Sequence, residues 1–125
     1  MDSQNTPDHP RLHLRIIFDE ARFLGPGKIA LLQGIAVTGS IAAAGRDMGM
    51  SYKRAWDLVA AMNGIFAAPL VVSSRGGAKG GGAHLTEMGA QVVALYQRFQ
   101  AQSLQAGAGE LAALTALLRD GLGEK

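Results

Sequence analysis

The chain has 125 residues, a mass of 13.0 kDa and a formal net charge of +2, with 48% hydrophobic and 18% charged residues. This length fits one domain with a core of moderate size and excludes a multidomain enzyme. The absence of cysteine excludes disulfides and thiolate metal sites, and no N-terminal apolar run resembles a signal peptide or a membrane span of about 18 residues. We therefore expect a cytoplasmic protein that does not associate with membranes.

Basic residues predominate in the middle of the chain. From Lys28 to Arg98 there are seven lysine or arginine residues against three aspartate or glutamate residues. This excess fits a surface that neutralises nucleic-acid phosphates, and a solvated basic face fits it nearly as well. Charge alone leaves both interpretations open.

The N-terminal part of the chain predicts a mobile segment, a strand and a helix. Residues 1–10 are polar, contain two prolines and are expected to be mobile. A period-two alternation over residues 12–18 predicts a strand, with Leu12, Leu14, Ile16 and Phe18 on one side. Pro26 is suited to the first turn of the helix that follows, and Gly39 is expected to end that helix.

Two short helices joined by a tight turn follow. Ser40 is the expected N-cap of a helix that runs to Met48, and Ser51 caps a second helix that ends at Asn63 and Gly64. Two helices connected by so short a glycine-containing turn are typical of a helix-turn-helix. In that motif the N-terminal end of the second helix enters the major groove of DNA.

The second of these helices has a polar and an apolar face. Ser51, Lys53 and Arg54 lie on the polar side, where arginine can form a bidentate contact with guanine and lysine can contact phosphates. The alternative is a pair of solvated cations on an exposed turn. Tyr52 and Trp56 lie on the apolar side and are expected to pack in the core, with the Tyr52 hydroxyl still within reach of a DNA backbone.

A basic, glycine-rich hairpin is predicted next. The segments 70–74 and 83–85 are predicted strands, and residues 76–82 between them contain five glycines. Arg75 and Lys79 flank or lie within this loop, where they can reach the minor groove or the phosphates. A nucleotide-binding P-loop is excluded, because the required Gly-Lys-Ser/Thr ending is absent.

The C-terminal third predicts a long helix followed by a shorter one. Thr86 is the expected N-cap, with Glu87 favourably placed in the first turn. An apolar seam that packs on the same domain or on a second copy is formed by Leu85, Met88, Val92, Leu95 and Phe99. After residues 106–109 a last amphipathic segment is expected to dock as well, through Leu111, Leu114, Leu118 and Leu122.

No constellation in the sequence supports catalysis. His9, His13 and His84 are scattered without the spacing of a metal site, and no set of nucleophile, base and carboxylate converges in any segment. We therefore expect a protein that is not an enzyme and has no metal site.

Several motifs are more specific than the fold. Ser-Tyr-Lys-Arg-Ala-Trp at residues 51–56 and Gly-Gly-Ala-Lys-Gly-Gly-Gly at residues 76–82 resemble the DNA-binding domain of ModE, the molybdate-responsive transcriptional regulators. The resemblance extends from about Leu12 to Phe99. It implies a mainly α fold with a small β wing: a winged helix-turn-helix, akin to the N-terminal domains of LysR-type regulators, that binds an inverted-repeat operator in double-stranded DNA as a homodimer.

The resemblance also assigns regions and residues. After Phe99 only 26 residues follow, without the Ser-Ala-Arg-Asn-Gln motif of the family, so we expect the C-terminal molybdate-binding domains and a molybdate cofactor to be absent. The expected regions are a mobile segment 1–10, a DNA-binding domain 11–105 and a helical extension 106–125. The expected DNA contacts are Ser51, Tyr52, Lys53, Arg54, Arg75 and Lys79. The alternative function is a protein-interaction module that forms mixed dimers with a full-length regulator.

Overall fold

The computed structural model of the protein describes residues 10–74 and 82–119. Within these residues the chain is mainly helical, with two small antiparallel sheets. The elements in order are β1 (Ile16–Ile17), β2 (Phe23–Leu24), α1 (Pro26–Thr38), α2 (Ile41–Asp47), α3 (Tyr52–Asn63), β3 (Val71–Ser74), β4 (Gly82–Leu85), α4 (Glu87–Ala106) and α5 (Ala108–Ala116). No helix in these ranges is both long and apolar enough to cross a membrane.

The predicted N-terminal strand is shorter than expected. Only β1 is a regular strand, and it pairs with β2, which the sequence pattern did not indicate. The preceding backbone is bound by side chains of α4 instead: Tyr96 Oη donates to the Leu14 carbonyl at 2.5 Å, and Gln100 Nε2 donates to the Leu12 carbonyl at 2.8 Å. The period-two alternation of burial is nevertheless present from residue 12 to residue 17.

Local signals fix the ends of the helices as predicted. Pro26 is the first residue of α1, and Gly39 follows that helix in a left-handed conformation with φ 72°. Ser40 caps α2, with its side chain accepting a hydrogen bond from the backbone N–H of Ala43. Thr86 caps α4 in the same way, through the N–H of Gly89.

The core lies among α1, α2, α3, the β3–β4 hairpin and the first half of α4. The fully buried large side chains are Leu31, Leu32, Ile35, Met62 and Leu70. The helices approach closely through small residues. A Cβ atom added to Gly45 of α2 would lie 2.6 Å from the Cβ of Ala55 in α3, so no larger residue fits this crossing without movement.

The β3–β4 hairpin is joined to the helices at both edges. Val71 lies opposite Leu85 and Ser74 opposite Gly82 in the antiparallel register. The N–H of Ala83 donates to the carbonyl of Gly39, at the end of α1, at 2.9 Å. These bonds hold the hairpin at a defined position beside the α1–α3 unit.

Within the described residues the predicted docking of the last helix does not occur on its own domain. No residue of α5 is buried, and Leu114 is 62% exposed. The reason is position: the buried residues of α4 all lie in its first half, whereas α5 begins beyond its last turn, after Gly107. Leu111 is partly buried, Leu118 is exposed, and Leu122 lies outside the described residues.

Candidate nucleic-acid interface

The turn between α2 and α3 has a fixed geometry. Gly49 has φ 75°, a left-handed conformation that glycine adopts at little cost. The N–H groups of Met48 and Met50 both donate to the Gly45 carbonyl at 3.0 Å, and that of Gly49 donates to the Arg46 carbonyl at 3.0 Å. These bonds satisfy the last carbonyls of α2 and direct the chain into α3 within a few residues.

The N-terminal end of α3 presents polar side chains to solvent. Ser51 caps the helix, accepting from the N–H of Arg54 at 3.1 Å. Lys53 Nζ donates to Asp57 Oδ2 at 2.9 Å, and this hydrogen bond is the main reason that the pKa of Lys53 is raised. The pair is well exposed and adds little stability. Arg54 is exposed, and none of the described carboxylates forms an ion pair with it.

The prediction that Tyr52 and Trp56 pack in the core is wrong. Tyr52 is 63% exposed and Trp56 is 37% exposed. The buried stripe of α3 is centred on Ala55, Val59 and Met62, and at about 100° per residue positions 52 and 56 lie at its margin. The two rings instead contact each other edge to face, with centroids 5.9 Å apart and an interplanar angle of 63°.

Asn63, at the end of α3, connects this helix to the hairpin. Its Oδ1 accepts from the N–H groups of Leu70 at 2.8 Å and Val71 at 3.1 Å, and its Nδ2 donates to the Val71 carbonyl at 3.1 Å. The sequence pattern predicts Asn63 only as the end of a helix. Buried backbone groups need hydrogen-bond partners, and the backbone of Leu70 and Val71 has to find them outside the hairpin. A polar side chain at the preceding helix end was therefore the available signal.

The predicted contacts of the hairpin tip fall outside the described residues. Arg75 and Lys79 are in the undescribed segment 75–81, and the structure therefore does not place them. The described strands end at the pair formed by Ser74 and Gly82, which flanks that segment. Ser51, Tyr52, Lys53 and Arg54 are brought together at one end of α3.

The basic excess of the middle segment is not all at the surface. Lys28 is buried, with Nζ 3.2 Å from the centroid of the Phe23 ring and donating to the Phe23 carbonyl at 3.2 Å. Burial lowers the pKa of Lys28, and the charge of Arg15 lowers it further. The guanidinium of Arg15 lies over the same ring at 4.0 Å. Lys28 therefore connects α1 to β2 through the Phe23 carbonyl and adds no exposed charge.

The predicted dimer seam divides into two parts. Val92 is buried in the core of its own chain, and Leu85 and Met88 pack against that core. Leu95 and Phe99 are 51% and 49% exposed. They line one side of an apolar groove of about 240 Å³, whose other walls are Ile16, Phe18, Leu24, Phe66, Val92 and Tyr96.

The N-terminal end of α3 and the groove along α4 offer groups that can bind another molecule. The capped end of α3 offers cations and hydrogen-bond donors, and the α4 groove offers apolar contact area. Within residues 10–74 and 82–119 no three histidine, aspartate or glutamate side chains are grouped to hold a metal ion.

Sequence comparison finds homologues that regulate transcription or bind molybdenum compounds. The chain is 50% identical over 78 residues to the molybdenum-pterin-binding protein MopB of Rhodobacter capsulatus, a match that covers 62% of this chain and 29% of MopB. It is 41% identical over 83 residues to the DNA-binding transcriptional dual regulator ModE of Escherichia coli K12, covering 66% of this chain and 32% of ModE. It is 40% identical over 82 residues to the molybdenum transport protein ModE of Azotobacter vinelandii, covering 66% and 30%.

These identities support the resemblance to ModE regulators that the motifs indicate. The matched part of the chain spans about 30% of the length of these relatives. No family model matches the chain.

Proposed function

We propose that this chain is a DNA-binding transcriptional regulator of ModE type, which acts as a homodimer on an inverted-repeat operator connected with molybdate transport or molybdenum metabolism. Residues 11–105 form its winged helix-turn-helix, in which α3 is the recognition helix and the β3–β4 hairpin is the wing, and residues 106–125 form a helical extension. The observation that carries the proposal is the capped N-terminus of α3, where Lys53 and Arg54 are exposed beside the tight Gly49 turn.

The recognition helix and the wing divide the contacts with DNA. Arg54 reads a base edge in the major groove, and Lys53 neutralises a phosphate after exchanging its bond with Asp57. Ser51 and the hydroxyl of Tyr52 contact the DNA backbone where the N-terminal end of α3 enters the groove. Arg75 and Lys79 extend the contact from the wing tip, and Asn63 keeps the wing at a fixed distance from α3.

The homodimer places two recognition helices on one face of the duplex. Leu95 and Phe99 supply the exposed apolar surface for a second copy, and Val92 supports it from the core. Leu85 and Met88, at the start of the seam, pack against the core of their own chain. A two-fold axis through α4 brings the two copies of α3 to half-sites about one duplex turn apart. Operator symmetry is then a consequence of protein symmetry.

The proposal is tested by fluorescence anisotropy on two duplexes. One is the promoter of the molybdate-transport genes in the organism that encodes this chain, and the other has the same composition in scrambled order. We expect tighter binding to the promoter duplex, with the same affinity when molybdate is added. Equal affinity for both duplexes would contradict the assigned target, and an affinity that changes with molybdate would contradict the expected independence of molybdate.

The second candidate is a protein-interaction module that forms mixed dimers with a full-length regulator. The exposed apolar side chains of Leu95, Phe99 and Leu114 favour it, because unpartnered apolar surface of this kind marks protein contacts. Salt separates the two candidates. Binding to DNA weakens steeply as salt rises, whereas apolar association through α4 hardly changes.

A further inference from the structure

Tyr52 and Trp56 form an exposed aromatic pair on the first half of α3. They are one helical turn apart, and their rings meet edge to face with centroids 5.9 Å apart. The Tyr52 ring is 63% exposed, and within residues 10–74 and 82–119 neither the core nor the paired strands β3 and β4 cover it. The two rings therefore form an exposed aromatic patch on the surface of α3.

The position of the pair relates it to DNA. Tyr52 is the first residue of α3 and Lys53 the second, so the rings lie at the same end of the helix as the cations. If this end enters the major groove, as proposed above, the rings enter with it. Base edges in that groove carry hydrogen-bonding groups and a single kind of apolar group, the C5-methyl of thymine.

We infer that Tyr52 and Trp56 form an apolar surface that recognises thymine methyl groups in each operator half-site. Arg54 and Lys53 supply the polar and ionic contacts, and the aromatic pair supplies discrimination between thymine and cytosine at neighbouring positions. This inference rests on the proposed function, because it requires α3 to lie in the major groove.

The geometry of the pair disfavours stacking on single-stranded bases. Stacking needs an open aromatic face for each base. In an edge-to-face pair, the edge of one ring covers part of the face of the other. The exposed parts of the two rings instead suit contact with a small apolar group such as a methyl.

The test begins with duplexes isolated by the intact chain from a pool with a randomised central region. Each thymine of a tightly bound duplex is then replaced in turn by deoxyuridine, which removes only the C5-methyl group. Burial of one methyl group changes an equilibrium constant by about fourfold. We expect the Kd to rise by about fourfold at one or two thymines per half-site and to be unchanged at the others.

Two variants and one control connect the effect to these residues. In Tyr52→Ala and in Trp56→Ala the difference between thymine and deoxyuridine should shrink toward zero at the sensitive positions. Tyr52→Ala removes a mostly exposed side chain, so it reports even if Trp56→Ala disturbs the fold. The matched control Lys53→Ala should weaken both duplexes equally and keep the fourfold difference.

The outcomes separate the inference from the proposed function. Tight duplex binding that is insensitive to deoxyuridine at every position would overturn the inference and leave the DNA-binding function intact. Preference for single strands would overturn it in favour of stacking. Absence of binding to any duplex would overturn both.

Discussion

The side-chain amide of Asn63 forms hydrogen bonds with both the backbone N–H and the backbone carbonyl of Val71. Nδ2 donates to the Val71 carbonyl and Oδ1 accepts from the Val71 N–H, each at 3.1 Å. Asn63 is the last residue of α3, and Val71 is the first residue of β3. The amide group of Asn63 therefore connects the end of α3 to the start of β3.

Asn63→Ala should lower the free energy of unfolding by about 2 to 3 kcal/mol, because it leaves partly buried backbone groups of Leu70 and Val71 without partners. Urea titration followed by circular dichroism measures this loss. Gln105→Ala, at an exposed amide on α4, is the control and should change stability by less than about 0.5 kcal/mol. Equal effects of the two variants would contradict a stabilising role for the hydrogen bonds of Asn63 with Leu70 and Val71.

Gly45→Ala should destabilise the protein by about 1 to 3 kcal/mol, because the new methyl group would overlap Ala55 at the crossing of α2 and α3. The control is Gly109→Ala in α5, where no heavy atom lies within 4 Å of the added Cβ. That substitution should stabilise by about 0.5 to 1 kcal/mol. A thermal melt in which both variants gain stability would show that the helices tolerate a wider separation.

The helix ends and the capping residues could be predicted from the sequence because they depend on local chemistry. Ser40, Ser51 and Thr86 each accept the expected hydrogen bond from the backbone N–H of the residue three positions later. Gly39 and Gly49 have the positive φ that their positions after α1 and α2 require. These features need only residues that are neighbours in the chain.

The exposure of side chains could not be predicted in the same way because it depends on distant segments. Periodicity placed Tyr52 and Trp56 on the apolar face of α3, but only the centre of that face is covered by other elements. The same limit applies to the α4 seam, where Val92 is buried and Leu95 is exposed although both fit one repeat. Which part of a helix is covered depends on tertiary packing.

Tyr96→Phe should lower stability by about 1 kcal/mol near neutral pH, because the hydroxyl no longer donates to the Leu14 carbonyl. The variant also tests the pH dependence. Burial raises the pKa of Tyr96 above its ordinary value of 10.0, so the folded chain holds the phenol proton more tightly than the unfolded chain. The contribution of the protonated Tyr96 to the free energy of unfolding is fully present below pH 10.0. It is lost as the pH rises through the pKa of Tyr96 in the folded chain.

The stability difference between the parent chain and Tyr96→Phe should therefore narrow as the pH rises above about 10. Urea titrations at several alkaline pH values measure this difference in the free energy of unfolding. The lowered pKa of Lys28 affects both proteins equally, so its effect cancels in the difference. A difference that stays constant with pH would contradict the raised pKa.

Arg54→Ala should weaken binding to the operator by about 1 to 3 kcal/mol and relax the base preference at one position in each half-site. The reason is the loss of a bidentate contact that only one base pair satisfies. Anisotropy titrations against all four base pairs at each position give both quantities. Arg54 would be removed from the interface if the variant and the parent chain bound the operator equally.

Lys79→Ala should weaken binding to operator and scrambled duplexes by similar factors and reduce the slope of log K against log salt by about 1. A lysine that contacts phosphate provides charge without sequence information. Titrations of both duplexes at several salt concentrations test this expectation. A change in sequence preference would mean that Lys79 reads bases.

The salt dependence of duplex binding by the parent chain tests the central claim most directly. With Lys53, Arg75 and Lys79 from each protomer near the phosphates, about six contacts in the dimer, log K should fall with log salt at a slope of about −5. Binding should also be tighter for the operator than for a scrambled duplex throughout. A slope near zero, or the same affinity for both duplexes, would contradict a sequence-specific DNA-binding dimer.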